Sequence, residues 1–134
     1  MRRGNEARCA IAMSARDTGT QWENVALKHA QDAGLKLLAR NFHCRYGEID
    51  LILRDRDSIV FAEVRYRGDG MHGGGTASVG AAKRAKLVRT AQIWLQAHPQ
   101  YAALPCRFDV IGCAGTGASP LLEWTRDAFE AFSG

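Results

Sequence analysis

Hydrophobic positions along the chain change period twice, and those changes outline the fold. Between Gln21 and Ala33 the spacing is helical, with Trp22, Ala26, His29, Ala30 and Ala33 on one face. Thr20 and Glu23 have the T-x-x-E spacing of a capping box and Gly34 suits a C-terminal stop, so a helix is predicted from about Gln21 to Ala33. From Leu35 to Tyr66 the period drops to two. Leu35–His43, Glu48–Arg54 and Ile59–Tyr66 read as strands, separated by a break at Arg45, Tyr46 and Gly47 and by a polar turn at Asp55–Ser58. Turns this short join antiparallel neighbours, which gives a three-strand meander.

The helical period returns from about Val79 to Ala97, capped by Ser78, with Leu87, Val88, Ala91, Trp94 and Leu95 as the buried stripe. Cys106–Cys113 has the continuous apolar character of a strand covered on both faces. After a Gly-rich turn, Gly112–Ser119, the pattern predicts a short strand at Leu121–Trp124 and a C-terminal helical turn. The second helix is then a crossover, which sets Cys106–Cys113 parallel to Ile59–Tyr66. The expected fold is α/β: helix, three-strand antiparallel meander, crossover helix and further strand, in a mixed central sheet flanked by helices. One domain over residues 18–134 accounts for this pattern, preceded by a mobile basic tail, residues 1–17, with Arg2, Arg3, Arg8 and Arg16. A flexible glycine-rich loop, Gly68–Gly75, contains His72 and lacks the Gly-Lys-Ser/Thr ending of a phosphate-cradling loop.

Charge adds a modest bias. There are 18 Lys+Arg against 14 Asp+Glu, a net charge of +4, and most of the basic residues are Arg, whose planar fork suits phosphate. The four cysteines form no C-x-x-C pair and no zinc spacing with the histidines, so reduced thiols and a cytoplasmic location are expected. No apolar run is long enough for a membrane span. Lys83, Arg84, Lys86 and Arg89 fall on the second helix without an acid between Val79 and Ala97, a pattern that suits phosphate-backbone contact or a solvated helix face equally.

The chemistry lies in the strands. Strict alternation turns Ile49, Leu51 and Leu53 one way and Glu48, Asp50 and Ile52 the other. In the next strand Ile59, Phe61, Glu63 and Arg65 share a face, with Glu63 and Arg65 roughly 6 to 7 Å apart at about 3.3 Å per residue. An acid within so apolar a strand is costly unless it is paired or binds a cation. Pairing through the Asp55–Ser58 turn lets Asp50 and Glu63 converge as hard oxygen ligands for Mg²⁺ or Mn²⁺, ions that activate water and neutralise phosphate charge. A structural ion pair of Glu63 with Arg65 or Arg67 is the competing reading.

Gly-Glu-Ile-Asp-Leu-Ile (Gly47–Ile52) followed by Val-Phe-Ala-Glu-Val-Arg-Tyr-Arg (Val60–Arg67) resembles the central signature of the YraN family of uncharacterised bacterial proteins. Gly19, Glu23 and Ala26 before it, and Lys83, Lys86, Leu87 and Arg107–Val110 after it, extend the resemblance over about Gly19–Phe129. That family resembles the PD-(D/E)xK nucleases, restriction-endonuclease-like in fold, and in particular the archaeal Holliday-junction resolvases. The resemblance implies metal ligation by Asp50, Glu63 and the Val64 carbonyl, with Glu23 of the first helix facing the same site. It further implies a Mg²⁺- or Mn²⁺-dependent endonuclease acting on DNA, including branched structures, and a two-fold homodimer. Arg65 stands where the nuclease pattern has Lys; it stays protonated and cannot take a proton from water, though it can hold the scissile phosphate. Lys83, Arg84, Lys86 and Arg67 are the expected nucleic-acid contacts. The alternatives are a non-catalytic nucleic-acid-binding module on the same scaffold and a protein-interaction domain. Glu23 has a second explanation as the N3 residue of the capping box.

Overall fold

The computed structural model describes residues 15–66, 80–116 and 118–129, the side chains of residues 15–18 excepted. The elements run α1 (Ala15–Asp32), β1 (Lys36–Cys44), β2 (Gly47–Asp55), β3 (Ser58–Tyr66), α2 (Ala81–Ala97), a 3₁₀ turn (Pro99–Tyr101), β4 (Cys106–Gly115) and β5 (Pro120–Phe129). The five strands form one sheet in the order β1-β2-β3-β4-β5. β1, β2 and β3 are the expected antiparallel meander. β3 and β4 pair in parallel, with Ile59 opposite Cys106 and Tyr66 opposite Cys113, because α2 carries the chain back to the starting end of the sheet.

Each helix covers one face. α1 offers a narrow stripe, Trp22, Ala26 and Ala30, which packs on Leu51, Leu53, Val60, Ala62, Ile111 and Cys113. Alanine at two of those positions lets the helix lie close to the sheet. On the other face Leu87, Ala91 and Trp94 of α2 meet Ile49, Ile52, Ile59, Phe61, Phe108 and Val110. Phe61 is the hub there, stacked on Phe108 at 5.2 Å between ring centroids and edge-on to Trp94 at 6.1 Å. The parallel strands β3 and β4, central in the sheet, are therefore buried on both sides, as their apolar runs required.

Four expectations need correction. α1 begins at Ala15, so Thr20 and Glu23 lie inside the helix and form no capping box. Gly19, in the second turn, weakens the helix by about 1 kcal/mol relative to Ala without stopping it. His29 and Ala33 are exposed, because the three-residue stripe already fills the contact with the sheet. Gly80 is the N-cap residue of α2, which starts at Ala81. Finally, β5 continues past Trp124 to Phe129, where a helical turn was expected to follow, pairing Phe129 with Phe108. Polar Thr125, Arg126 and Asp127 hid that strand, but its backbone groups are satisfied by β4 and the amide of Asp127 donates to buried Asp109 (2.8 Å). Residues 1–14 of the basic tail, Arg67, the glycine loop with His72, and Ser78 lie outside the described residues.

Candidate functional site

Alternation along β2 fails at one residue, and that residue is Asp50. Ile49 packs on the α2 side together with Ile52, whereas Leu51 and Leu53 pack on the α1 side. The expected grouping of Ile49 with Leu51 is thus overturned, while Asp50 stays on the α2 side with Ile52. The cause is visible in both ladders. In β1 the pairs Arg40–Leu51 and Phe42–Ile49 place Asn41 opposite Asp50, and Asn41 takes the left-handed backbone (φ 51°) that its side chain tolerates better than most. On the other side the β2–β3 ladder runs only as far as Leu51–Ala62. Where the next pair would be Asp50–Glu63, the Asp50 side chain takes the place of backbone: Oδ2 accepts the Val64 amide at 2.8 Å. In a strand the N–H and C=O of one residue face the same neighbour, so the Val64 carbonyl also faces the Asp50 end of β2.

Burial raises the Asp50 carboxyl from its usual 3.8 to about 7. The Val64 hydrogen bond works against that shift, while the negative charges of Glu63, Glu23 and Glu48 add to it. Burial and like charge together hold a carboxylate that lacks compensation at neutral pH.

Asp50 and Glu63 both line an open cleft of about 440 Å³ between the ends of β2 and β3 and the first turns of α2, together with Gly47, Glu48, Lys83 and Lys86. β3 alternates as expected, which turns Glu63 towards α2. There Lys83 Nζ lies 2.8 Å from Glu63 Oε2; the carboxylate is the covered partner, 12% exposed against 54% for the lysine. Glu63 thus has an ion-pair partner twenty positions on, which neither sequence reading named. Arg65 is half-buried two residues beyond Glu63, and Glu48 is exposed at the rim.

Of the remaining candidates, Lys86 lines the cleft, as the three-residue spacing from Lys83 requires. Arg84 does not; its guanidinium lies 5.9 Å from the centre of the Phe129 ring. Glu23 approaches from the α1 side, close enough to raise Asp50, without lining the cleft. It pairs with Arg40 at 3.6 Å. Asn41, with its amide nitrogen turned to its acidic neighbours, donates to Glu23 Oε1 (3.1 Å) and Glu48 Oε2 (3.2 Å) and so ties the helix acid to the rim acid. Asn41 and Lys83 are the contributions that sequence reasoning missed, Asn41 as a residue and Lys83 as a partner of Glu63; a left-handed Asn inside a strand pattern and an acid-free helix start are the signals they left.

The donor set fits a hard divalent cation. Two carboxylates line the same cleft, one of them raised by burial, with a backbone carbonyl on the same edge. Among the described residues no group of three or more His, Cys, Asp or Glu side chains is placed to hold a metal ion, so the protein side chains offered are the two carboxylates. An ion here would therefore keep water in its shell, as Mg²⁺ does.

Arg107 and Asp109 have a different task. Asp109 is fully buried on β4, where it accepts from Trp124 Nε1 (2.8 Å), the Asp127 amide and Arg107, and Arg107 continues to Asp55 at 3.1 Å. These bonds fasten β5 and the β2–β3 turn to β4, the supporting role expected of them.

Comparison with known proteins places this arrangement among bacterial relatives. The model of a family described as "Uncharacterised protein family UPF0102" matches residues 22–113, from Trp22 of α1 to Cys113 of β4. A UPF0102 protein of Stutzerimonas stutzeri (strain A1501) is 46% identical over 117 residues, covering 87% of this chain and 98% of the relative. One from Xanthomonas campestris pv. campestris (strain B100) is 53% identical over 111 residues, 83% of this chain and 89% of the relative. A third, from Pseudomonas fluorescens, is 44% identical over 119 residues, 88% and 97% of the two chains. No helix among the described residues is long and apolar enough to cross a membrane.

Proposed function

The chain belongs to the UPF0102 (YraN) family, and from that premise and the geometry of the cleft we propose that it is a divalent-metal-dependent endonuclease that cuts DNA phosphodiester bonds, branched and repair intermediates included. One observation carries the proposal: Asp50 interrupts its own sheet to hold a partly buried carboxylate beside Glu63, at a cost that no hydrophobic or structural need explains. Asp50, Glu63 and the Val64 carbonyl are the groups that would hold Mg²⁺ or Mn²⁺. When bound, such an ion supplies the Lewis acidity that activates water and offsets charge on the phosphoryl oxygens.

The protein's own groups do the rest. Val64 N–H holds Oδ2 of Asp50, a residue that lines the cleft. Glu63 is held by Lys83 Nζ, an exposed ammonium on a flexible stem that can turn from the carboxylate to a non-bridging phosphate oxygen at the cleft. Lys83 thereby supplies from α2 the mobile ammonium that Arg65 cannot supply from β3. Lys86 extends the positive rim along the same helix face. Glu23 acts through Asn41, holding the acidic rim rather than reaching the phosphate.

The test is a panel of four-way junction, flap and linear DNA incubated with purified protein and Mg²⁺ or Mn²⁺, with Asp50→Ala alongside. Metal-dependent cutting by the native protein and none by the folded variant is the expected result. Salt-sensitive retention with every substrate left intact favours the non-catalytic binding module, for which Arg65 in place of Lys is the specific observation.

A further inference from the structure

The hairpin between β1 and β2 carries a second basic feature outside the acidic cleft. Its two turn residues are Arg45 and Tyr46, and two guanidiniums lie over the Tyr46 ring: Arg45 at 5.4 Å from the ring centre and Arg89 of α2 at 4.7 Å. Arg89 also donates to the Tyr46 hydroxyl at 3.2 Å. The hairpin is fastened to α2 besides. Cys44 Sγ contacts Thr90 Oγ1 at 3.7 Å and takes the Tyr46 amide at 3.4 Å, and buried Thr90 is itself held by the Lys86 carbonyl at 2.8 Å. A Cβ built on Gly47 would touch Thr90 and Lys86, so turn and helix are in direct contact.

Two exposed guanidiniums are thus held on one aromatic ring, and among the described residues no carboxylate pairs with either of them or with Lys86. Bringing like charges together costs free energy that the ring face only partly offsets, and an anion between or across them removes that cost. The cluster also continues the cleft. Lys83, Lys86 and Arg89 follow one another at three-residue spacing, spanning about 9 Å of helix axis. One nucleic-acid strand advances about 3.4 Å per phosphate, so the row covers two to three successive phosphates.

From this we propose that Arg45, Tyr46 and Arg89 form a phosphate clamp that holds the sugar–phosphate backbone of a nucleic-acid strand next to the Asp50–Glu63 cleft. The proposal rests on the nuclease reading only for the nature of the polyanion. Arg45 and Arg89 bind the phosphate oxygens; Tyr46 is the positioning residue that fixes both forks. The clamp selects no base and sets where the strand lies relative to the cleft.

Binding of a fluorescein-labelled 20-base-pair DNA duplex to the full chain, read by anisotropy from 50 to 200 mM salt in EDTA, tests the clamp without the metal. The expected result is at least a tenfold loss of affinity in the Arg45→Ala/Arg89→Ala variant at 100 mM salt. The slope of log K against log salt should become shallower by about 1.8, the share of two phosphate contacts. Tyr46→Ala retains both charges and should still lose affinity about threefold or more. Unchanged affinity and slope in the double variant would overturn the clamp, as would native affinity in Tyr46→Ala or no DNA binding by the native protein at 50 mM salt. Mn²⁺ binding, measured separately on the same variants, should be unaltered; if native protein binds Mn²⁺ and the duplex result fails, the clamp falls and the metal site stands.

Discussion

Replacing Asp50 by Asn should stabilise the metal-free protein, the reverse of what removing an acid from a structural ion pair does. Asn keeps the shape and keeps an oxygen to accept the Val64 amide, while the charge disappears. The Asp50 carboxyl titrates near 7 in the folded chain against 3.8 when exposed. That is about 3 pK units, or roughly 4 kcal/mol at 1.36 kcal/mol per unit, an upper bound because the group is only partly shielded from water. The sign follows from proton counting. Between pH 4 and 7 the folded state binds the extra proton, so rising pH lowers the stability of the native protein across that window and leaves it level above. The Asn variant lacks this slope. Its advantage should be near zero at pH 4 and full at pH 8, and at roughly 4 °C per kcal/mol a gain of several degrees in Tm at pH 8 is expected. Thermal melts of both proteins in EDTA from pH 4 to 8 read this directly. A variant with no advantage that grows with pH would show that Asp50 carries no uncompensated charge.

Lys83→Ala frees the Glu63 carboxylate, and DNA cutting should fall about 10²-fold or more if the ammonium reaches the phosphate; an initial-rate assay in Mg²⁺ with little change would assign Lys83 to charge balance alone. Glu63→Gln should abolish cutting while leaving the melting temperature in EDTA within a few degrees, since the residue lies at the rim of the core rather than in it. Asp109→Ala leaves Trp124 Nε1, Arg107 and the Asp127 amide without their acceptor, for an expected loss of about 3 to 5 kcal/mol in urea unfolding, and a loss below 1 kcal/mol would contradict the hub described for it. Phe61→Ala, which removes the ring between Trp94 and Phe108, should cost about 3 to 5 kcal/mol in the same assay.

Most of the sheet was legible because hydrophobic period and turn chemistry act over a few residues. The meander, the crossover and the parallel β3–β4 pairing all follow from runs that each face a helix. β5 was legible only in part, since Asp127 and its neighbours look like a chain end until buried Asp109 is known to receive the Asp127 amide. The helix start was missed for a related reason: Thr20 and Glu23 satisfy a local rule, but Glu23 turns instead to Arg40 and Asn41 from a strand.

At the cleft, Asp50, Glu63, Lys83 and Lys86 were singled out in the sequence and line it together, but their geometry was not readable. Period-two reasoning puts Asp50 on a face, whereas its carboxylate lies in the gap of the ladder, at the Val64 amide. No one-dimensional pattern records a side chain standing in for backbone. Nor does it record Lys83, twenty residues from Glu63 and brought to it only by the crossover.

The claim beneath all of this is that Asp50 and Glu63 hold one divalent cation. Titrating Mn²⁺ into metal-free protein and following free Mn²⁺ by electron paramagnetic resonance tests it without DNA. One ion per chain should bind to the native protein, with affinity rising between pH 6 and 8 as Asp50 ionises and at least tenfold weaker in Asp50→Asn and Glu63→Gln. Native protein that leaves Mn²⁺ free, or variants that bind it equally well, would contradict the account.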